Sequence, residues 1–89
     1  MYSTFGQWLE ARRTALGMTT QAEFCRRLRD VGVDVSRKAV SKWERDECLP
    51  SKTYRPLIFI VLGVHGERQH QLRMAIDGYV DFPSVRDAA

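Results

Sequence analysis

The chain is poor in cysteine and proline, with two and three respectively in 89 residues. Two thiols, Cys25 and Cys48, cannot supply the disulfide framework on which small secreted domains rely. No apolar run approaches the roughly 18–20 residues needed to span a bilayer. The longest, Pro56 to Val64, contains the breakers Pro56 and Gly63, so no membrane partner is expected. The start, Met1-Tyr2-Ser3-Thr4, has no basic stretch leading into an apolar one, which predicts no export signal and a cytoplasmic location. His65 and His70 are five apart and do not share a helical face, and no Cys/His/Asp spacing suits zinc. Neither a metal nor any other cofactor is expected. No Ser-His-Asp or Cys-His set can be assembled. Asp46-Glu47 reads as a pair of loop charges, and Gly63 and Gly66 read as helix punctuation rather than a phosphate loop. An enzyme is therefore not expected.

Eighty-nine residues allow one small domain with a thin core, burying only about 60–65% of the surface of the unfolded chain. With 44% hydrophobic and 28% charged residues, the balance is that of a folded protein. The formal charge of +3 is uneven: residues 1–63 carry a net +4 and residues 64–89 a net −1. Within 26–42 stand six cations (Arg26, Arg27, Arg29, Arg37, Lys38, Lys42) against Asp30 and Asp34. Charge alone fits either an ordinary solvated face or a nucleic-acid footprint, in which clustered cations displace counterions from phosphate.

There are no repeats, and no segment sustains the two-residue alternation of a strand, so an all-α bundle of four to five short helices is predicted. The first helix runs from Ser3 or Thr4 to Leu16, with Phe5, Trp8, Leu9, Ala15 and Leu16 on one face and Gly17 as its stop. Thr20-Gln21-Ala22-Glu23 fits a reciprocal capping box and opens the second, which buries Phe24, Cys25 and Leu28 and ends at Gly32. Ser36 caps the third, whose inner side is Ala39, Val40 and Trp43 and whose outer side is Arg37, Lys38, Ser41 and Lys42. The fourth spans Thr53 to Leu62, with Thr53 as cap so that Pro56 falls in the first turn. Its run Leu57 to Leu62 is apolar all round and demands cover on more than one side. A fifth runs from Glu67 to about Tyr79, and the tail from Asp81 to Ala89 is expected to fray, although Tyr79, Val80 and Phe82 are apolar for that. Trp8, Trp43, Phe24 and Phe59 lie on apolar faces at helical spacing and read as core. Cys25 reads as buried and inert, Cys48 as a loop thiol.

Two short helices joined by a turn, the second basic outside and apolar inside, fit the major groove of B-DNA, which admits one helix. The positions that reach base edges are then Arg37, Lys38, Ser41 and Lys42. The amide-rich N-termini of the second and third helices, at Thr20 and Ser36, suit phosphate. At this point the stretch from Phe5 to Val64, about two thirds of the chain, resembles the helix-turn-helix domain of the lambda-repressor/Cro (XRE-type) regulators. The matching pieces are F-G-x-W-L-x-x-R-R, G-M-T-T-Q-A-E-F-C, V-S-R-K-A-V-S-K-W-E-R, and L-P-S followed by an apolar helix ending L-G-V. The resemblance implies that Gln21 bonds phosphate and braces the recognition helix, and that Arg37, Lys38 and Lys42 read bases. It also implies that Val40 and Trp43 lock that helix to the bundle, that Glu44 pairs with an arginine of the first helix (here Arg13), and that Arg45 and Lys52 lie along the DNA backbone.

Three features depart from the family pattern. The first link has one extra threonine, the span from Gln21 to Trp43 is about five residues longer, and the usual glycine after W-E-R is Asp46. Asp46 and Glu47 also set two negative charges near the expected DNA. On this reading residues 1–64 are the DNA-binding domain, and 65–89 a C-terminal helix and tail. The expected function is that of a small prokaryotic or phage repressor on double-stranded DNA, acting as a homodimer because one helix reads few base pairs. Leu72, Ile76, Tyr79 and Phe82 are the candidate dimer surface, or else simply close the core. A second reading is an antitoxin-like module that binds a protein through residues 64–89 and regulates its own synthesis by binding DNA. RNA binding is disfavoured, since no aromatic interleaves the third-helix cations.

Overall fold

The computed structural model describes residues 2–86, and within them the chain is all-α, with no strand. The helices are α1 (Phe5–Ala15), α2 (Gln21–Asp30), α3 (Arg37–Glu44), α4 (Arg55–Val61) and α5 (Glu67–Ile76). Three begin on a side-chain cap: the hydroxyls of Thr4, Thr20 and Ser36 accept from the amides of Gln7, Glu23 and Ala39 at 3.1–3.2 Å. The Glu23 carboxylate turns forward to Arg26 at 2.8 Å, so the capping box is one-sided rather than reciprocal.

All five helices stop in the same way. A left-handed residue follows each cap, at Gly17, Gly32, Asp46, Gly63 and Gly78. The amides of that residue and the next then bond back to the last turn, as in Gly32 N to Arg29 O (3.0 Å) and Val33 N to Leu28 O (2.9 Å). After α1, α2 and α4 the next residue is apolar and buried: Met18, Val33 and Val64. Each stop therefore also anchors the following link. The six residues between α2 and α3 are held in this way, with Val33 fully buried and Val35 packed against the core.

Three expectations need correction. The fourth helix starts later than Thr53: Tyr54 is its cap, without a side-chain bond, and the amides of Tyr54 and Arg55 bond to Ser51 O in a preceding turn. Its apolar run is covered on more than one side, as expected: Ile58, Phe59 and Leu62 are buried, Leu57 and Val61 pack against the core, and Ile60 is 46% exposed. The fifth helix ends at Ile76, not near Tyr79, because Gly78 (φ 86°) takes the chain out of the helix. The tail from 82 to 86 is not frayed. Phe82 stacks on Trp8, which Phe5 flanks as well, both at centroid distances of 6.3 Å. The Trp8 indole N–H donates to Pro83 O at 2.9 Å, and Arg12 donates to Val85 O. Residues 87–89 lie outside the described residues.

Leu72 is fully buried in the same cluster as Trp8, Phe24, Val40 and Phe59, so residues 65–86 share one core with residues 1–64. Arg12 is the unexpected member, 1% exposed, with Nε on Leu62 O (2.7 Å) and Nη2 on Gly63 O (3.4 Å). It thereby caps the C-terminal end of α4, where a cation is favoured. No helix among the described residues is long and apolar enough to cross a membrane.

Cys25 is 4% exposed, and burial pushes its thiol pKa up, against a smaller lowering by the charges of Arg29 and Arg37. Cys48 is exposed. Thiol labelling of the native protein should therefore modify Cys48 rapidly and Cys25 only as the protein unfolds, giving one modified site by mass without denaturant and two with it.

Candidate nucleic-acid interface

At about 100° per residue, α3 divides cleanly into two sides. Val40 and Trp43 face inward, at 0% and 5% exposure. Arg37, Lys38, Ser41 and Lys42 fall on the opposite arc, the first two exposed and the other two half-exposed. Among the described residues, Arg37, Lys38 and Lys42 take part in no ion pair, whereas Arg26 and Arg45 are paired with Glu23 and Glu47. The structure thus brings the four candidate base-reading residues together on one surface.

What holds that surface in place lies behind it. Arg13 of α1 grips Glu44 with two bonds, Nε to Oε2 at 2.6 Å and Nη2 to Oε1 at 3.1 Å. Gln21 of α2 donates to the same Oε1 at 3.0 Å. Arg13 also donates to Met18 O at 2.9 Å in the link that joins α1 to α2. One carboxylate therefore ties the last turn of α3 to two other helices. Both side chains of the ion pair are nearly buried, at 7% and 5% exposure. The bond to Glu44 holds the Arg13 pKa above its ordinary value, outweighing the desolvation that lowers it. Gln21, proposed by resemblance to touch phosphate, is here engaged by its amide on Glu44, and its brace role is the one visible.

The end of α3 also abuts the start of α1. Asp46 occupies the left-handed position at φ 59°, which aspartate tolerates better than most residues. Its carboxylate accepts from Gly6 N at 2.9 Å. An anion there meets the free amides and positive dipole end of α1. Gly6 is what permits the approach: a Cβ on it would lie 2.5 Å from Glu44 O and 2.6 Å from Trp43 O, both backbone atoms. The negative charges expected to disturb bound DNA are thus occupied, Asp46 by α1 and Glu47 by Arg45 at 2.5 Å. That surface pair is more than half exposed on the Arg45 side and is worth at most about 1 kcal/mol, so Arg45 remains free to exchange partners.

A cleft of about 340 Å³ runs between the start of α2 and the start of α3, lined by Arg13, Thr19, Thr20, Gln21, Ala22 and Arg37. It brings the candidate phosphate contacts Thr20 and Gln21 beside Arg37. The hydroxyls of Thr20 and Ser36 accept backbone bonds and keep their O–H free to donate. Arg45 and Lys52, which follow α3 in the chain, are both exposed.

The candidate dimer residues do not form one surface. Leu72 is fully buried, Phe82 is stacked on Trp8, and Ile76 is partly buried against the core. Only Tyr79 stands out, 73% exposed beside Val80 at 45%. Gly6 and Arg12 were not legible as structural residues. The available signals were weak: a glycine two positions after the Thr4 cap, and a second arginine beside Arg13. Comparison with family models, with curated proteins and with solved structures returns no match.

Two substitutions test the brace. Glu44→Ala strands the buried guanidinium of Arg13 and should lower stability by about 3 kcal/mol in urea unfolding. Gly6→Ala should also destabilise, by about 1–3 kcal/mol, because backbone blocks the new methyl; at an ordinary helical position the same change stabilises by up to about 1 kcal/mol.

Proposed function

We propose that this chain is a sequence-specific DNA-binding regulator of the XRE helix-turn-helix kind, in which α2 and α3 form the motif and α3 enters the major groove. The observation that carries this reading is the outer arc of α3. Three unpaired cations and a hydroxyl share one solvent face, while every fixed bond of the helix lies behind it. A solvated helix face has no need of such rigidity, whereas base readout requires side chains presented in register from a braced element. Phosphate contacts fall to Thr20, Gln21 and Ser36, which precede α3 in the chain, and to Arg45 and Lys52, which follow it. Repression by occupancy of an operator in the prokaryotic cytoplasm fits a chain of this size.

The span from Gln21 to Trp43 is longer than the family pattern, yet Val33 and Val35 anchor the link between α2 and α3 in the core. A dimer on two half-sites would be built on Tyr79 and Val80 rather than on Leu72 and Phe82. The same exposed pair supports the second reading, a protein partner held by the C-terminal part.

Binding to a mixed-sequence duplex should weaken with salt by about 0.9 in log affinity per log salt for each phosphate neutralised; a flat response from low to physiological salt would refute the proposal. Arg37→Ala should relax preference at one base pair, whereas Arg45→Ala should weaken all duplexes alike, as read by fluorescence anisotropy against a panel of single-base variants. If Tyr79 is the dimer contact, Tyr79→Arg should convert the full chain from dimer to monomer in sedimentation.

A further inference from the structure

The chemistry of the outer arc narrows the kind of site that α3 can read. Arg37 offers five N–H donors, and Lys38 and Lys42 three each; none of these side chains can accept a hydrogen bond. Ser41 is the one group on the arc with lone pairs. The single carboxylate of α3, Glu44, is 5% exposed and held by Arg13 and Gln21. No carboxamide lies in the helix, and its apolar residues Val40 and Trp43 are buried, with Ala39 half-buried beside them.

Each base pair shows the major groove a different pattern. Guanine offers two acceptors, N7 and O6, which suit a donor-only cation. Adenine sets a donor beside its single acceptor, so a cation that bonds N7 faces the N6 amino group. Thymine offers O4 next to a methyl that wants an apolar neighbour, and the arc has none. Cytosine offers a donor, for which Ser41 alone could accept. Resting on the DNA-binding reading above, we infer that α3 selects half-sites in which two guanines lie about two base-pair steps apart and excludes A·T pairs from those positions.

The spacing fits this. Arg37 and Lys42 are five residues apart, a rise of about 7.5 Å along the helix, close to two base-pair steps of about 3.4 Å each. Arg37, nearest the start of the helix and unpaired, takes one guanine in a forked contact. Lys42, somewhat more than a turn further on, takes a guanine about two steps away as a point charge.

Selection of bound duplexes from a random pool by the full-length protein, followed by anisotropy on the enriched site, tests the inference. The expected consensus has two guanines about two base-pair steps apart in each half-site. Replacing each of these by 7-deazaguanine, which removes the N7 acceptor and keeps Watson–Crick pairing, should lower affinity by about tenfold at those positions and leave others unchanged. Arg37→Gln, at an exposed position and checked for unchanged thermal unfolding, should shift preference at one position from guanine to adenine. A consensus of A·T pairs, or indifference to 7-deazaguanine, would overturn the guanine inference while leaving a DNA reader standing. A pool without enrichment, bound equally well whatever the duplex or outcompeted by single-stranded RNA, would overturn both.

Discussion

The carboxylate of Glu44 is the point on which the arrangement of helices turns. It receives Arg13 from α1 and Gln21 from α2, and it belongs to α3. In a chain with so thin a core, burying an ion pair is costly unless every remaining lone pair and N–H is satisfied. Here the requirement is met, and among the described residues no buried side-chain nitrogen or oxygen lacks a partner. The result is directional in a way that apolar packing is not. Val40 and Trp43 press α3 onto the bundle, while the forked guanidinium fixes its rotation and its register.

A few residues away the same two helices meet by their ends. Gly6 lets the start of α1 touch the last carbonyls of α3, and Asp46 closes the contact with a carboxylate on a free amide. Positive dipole end and anion are thus matched without a long side chain. The far side of α1 is held by different means. Trp8 and Arg12 bond to backbone carbonyls of residues 83, 85, 62 and 63, which fastens both the tail and the end of α4 to one helix. α1 is therefore the central post of the molecule: one edge serves the candidate interface, and the other gathers the C-terminal third of the chain.

Much of this was legible in the residue order. The caps Thr20 and Ser36, the glycine stops, the apolar stripes of α2 and α3, and the pairing of Glu44 with Arg13 all rest on short-range chemistry or on a spaced motif. What escaped depends on contacts between segments far apart in sequence. Arg12 and Trp8 meet residues more than 70 positions away, and nothing local announces that the tail will be clamped by an indole and a guanidinium. The end of α5 was misplaced because apolar Tyr79 continued the helical spacing, whereas Gly78 ended it. Leu72 and Phe82 seemed free to meet a partner only while their own core was unknown. The candidate site fared better, because side chains on one face of a single braced helix share that face whatever the rest of the chain does.

The division of α3 into a bonded back and an unbonded front bears on how such a molecule changes over generations. Among the described residues, replacing Arg37, Lys38 or Lys42 removes no ion pair. On the proposed DNA-binding reading, substitutions there would change base preference without breaking an ion pair, so that preference could drift by single steps through folded intermediates. The back of the same helix has no such latitude, since Glu44 answers to two other helices at once. If the proposed reading holds, a lineage of these chains would keep its scaffold and rewrite its addresses.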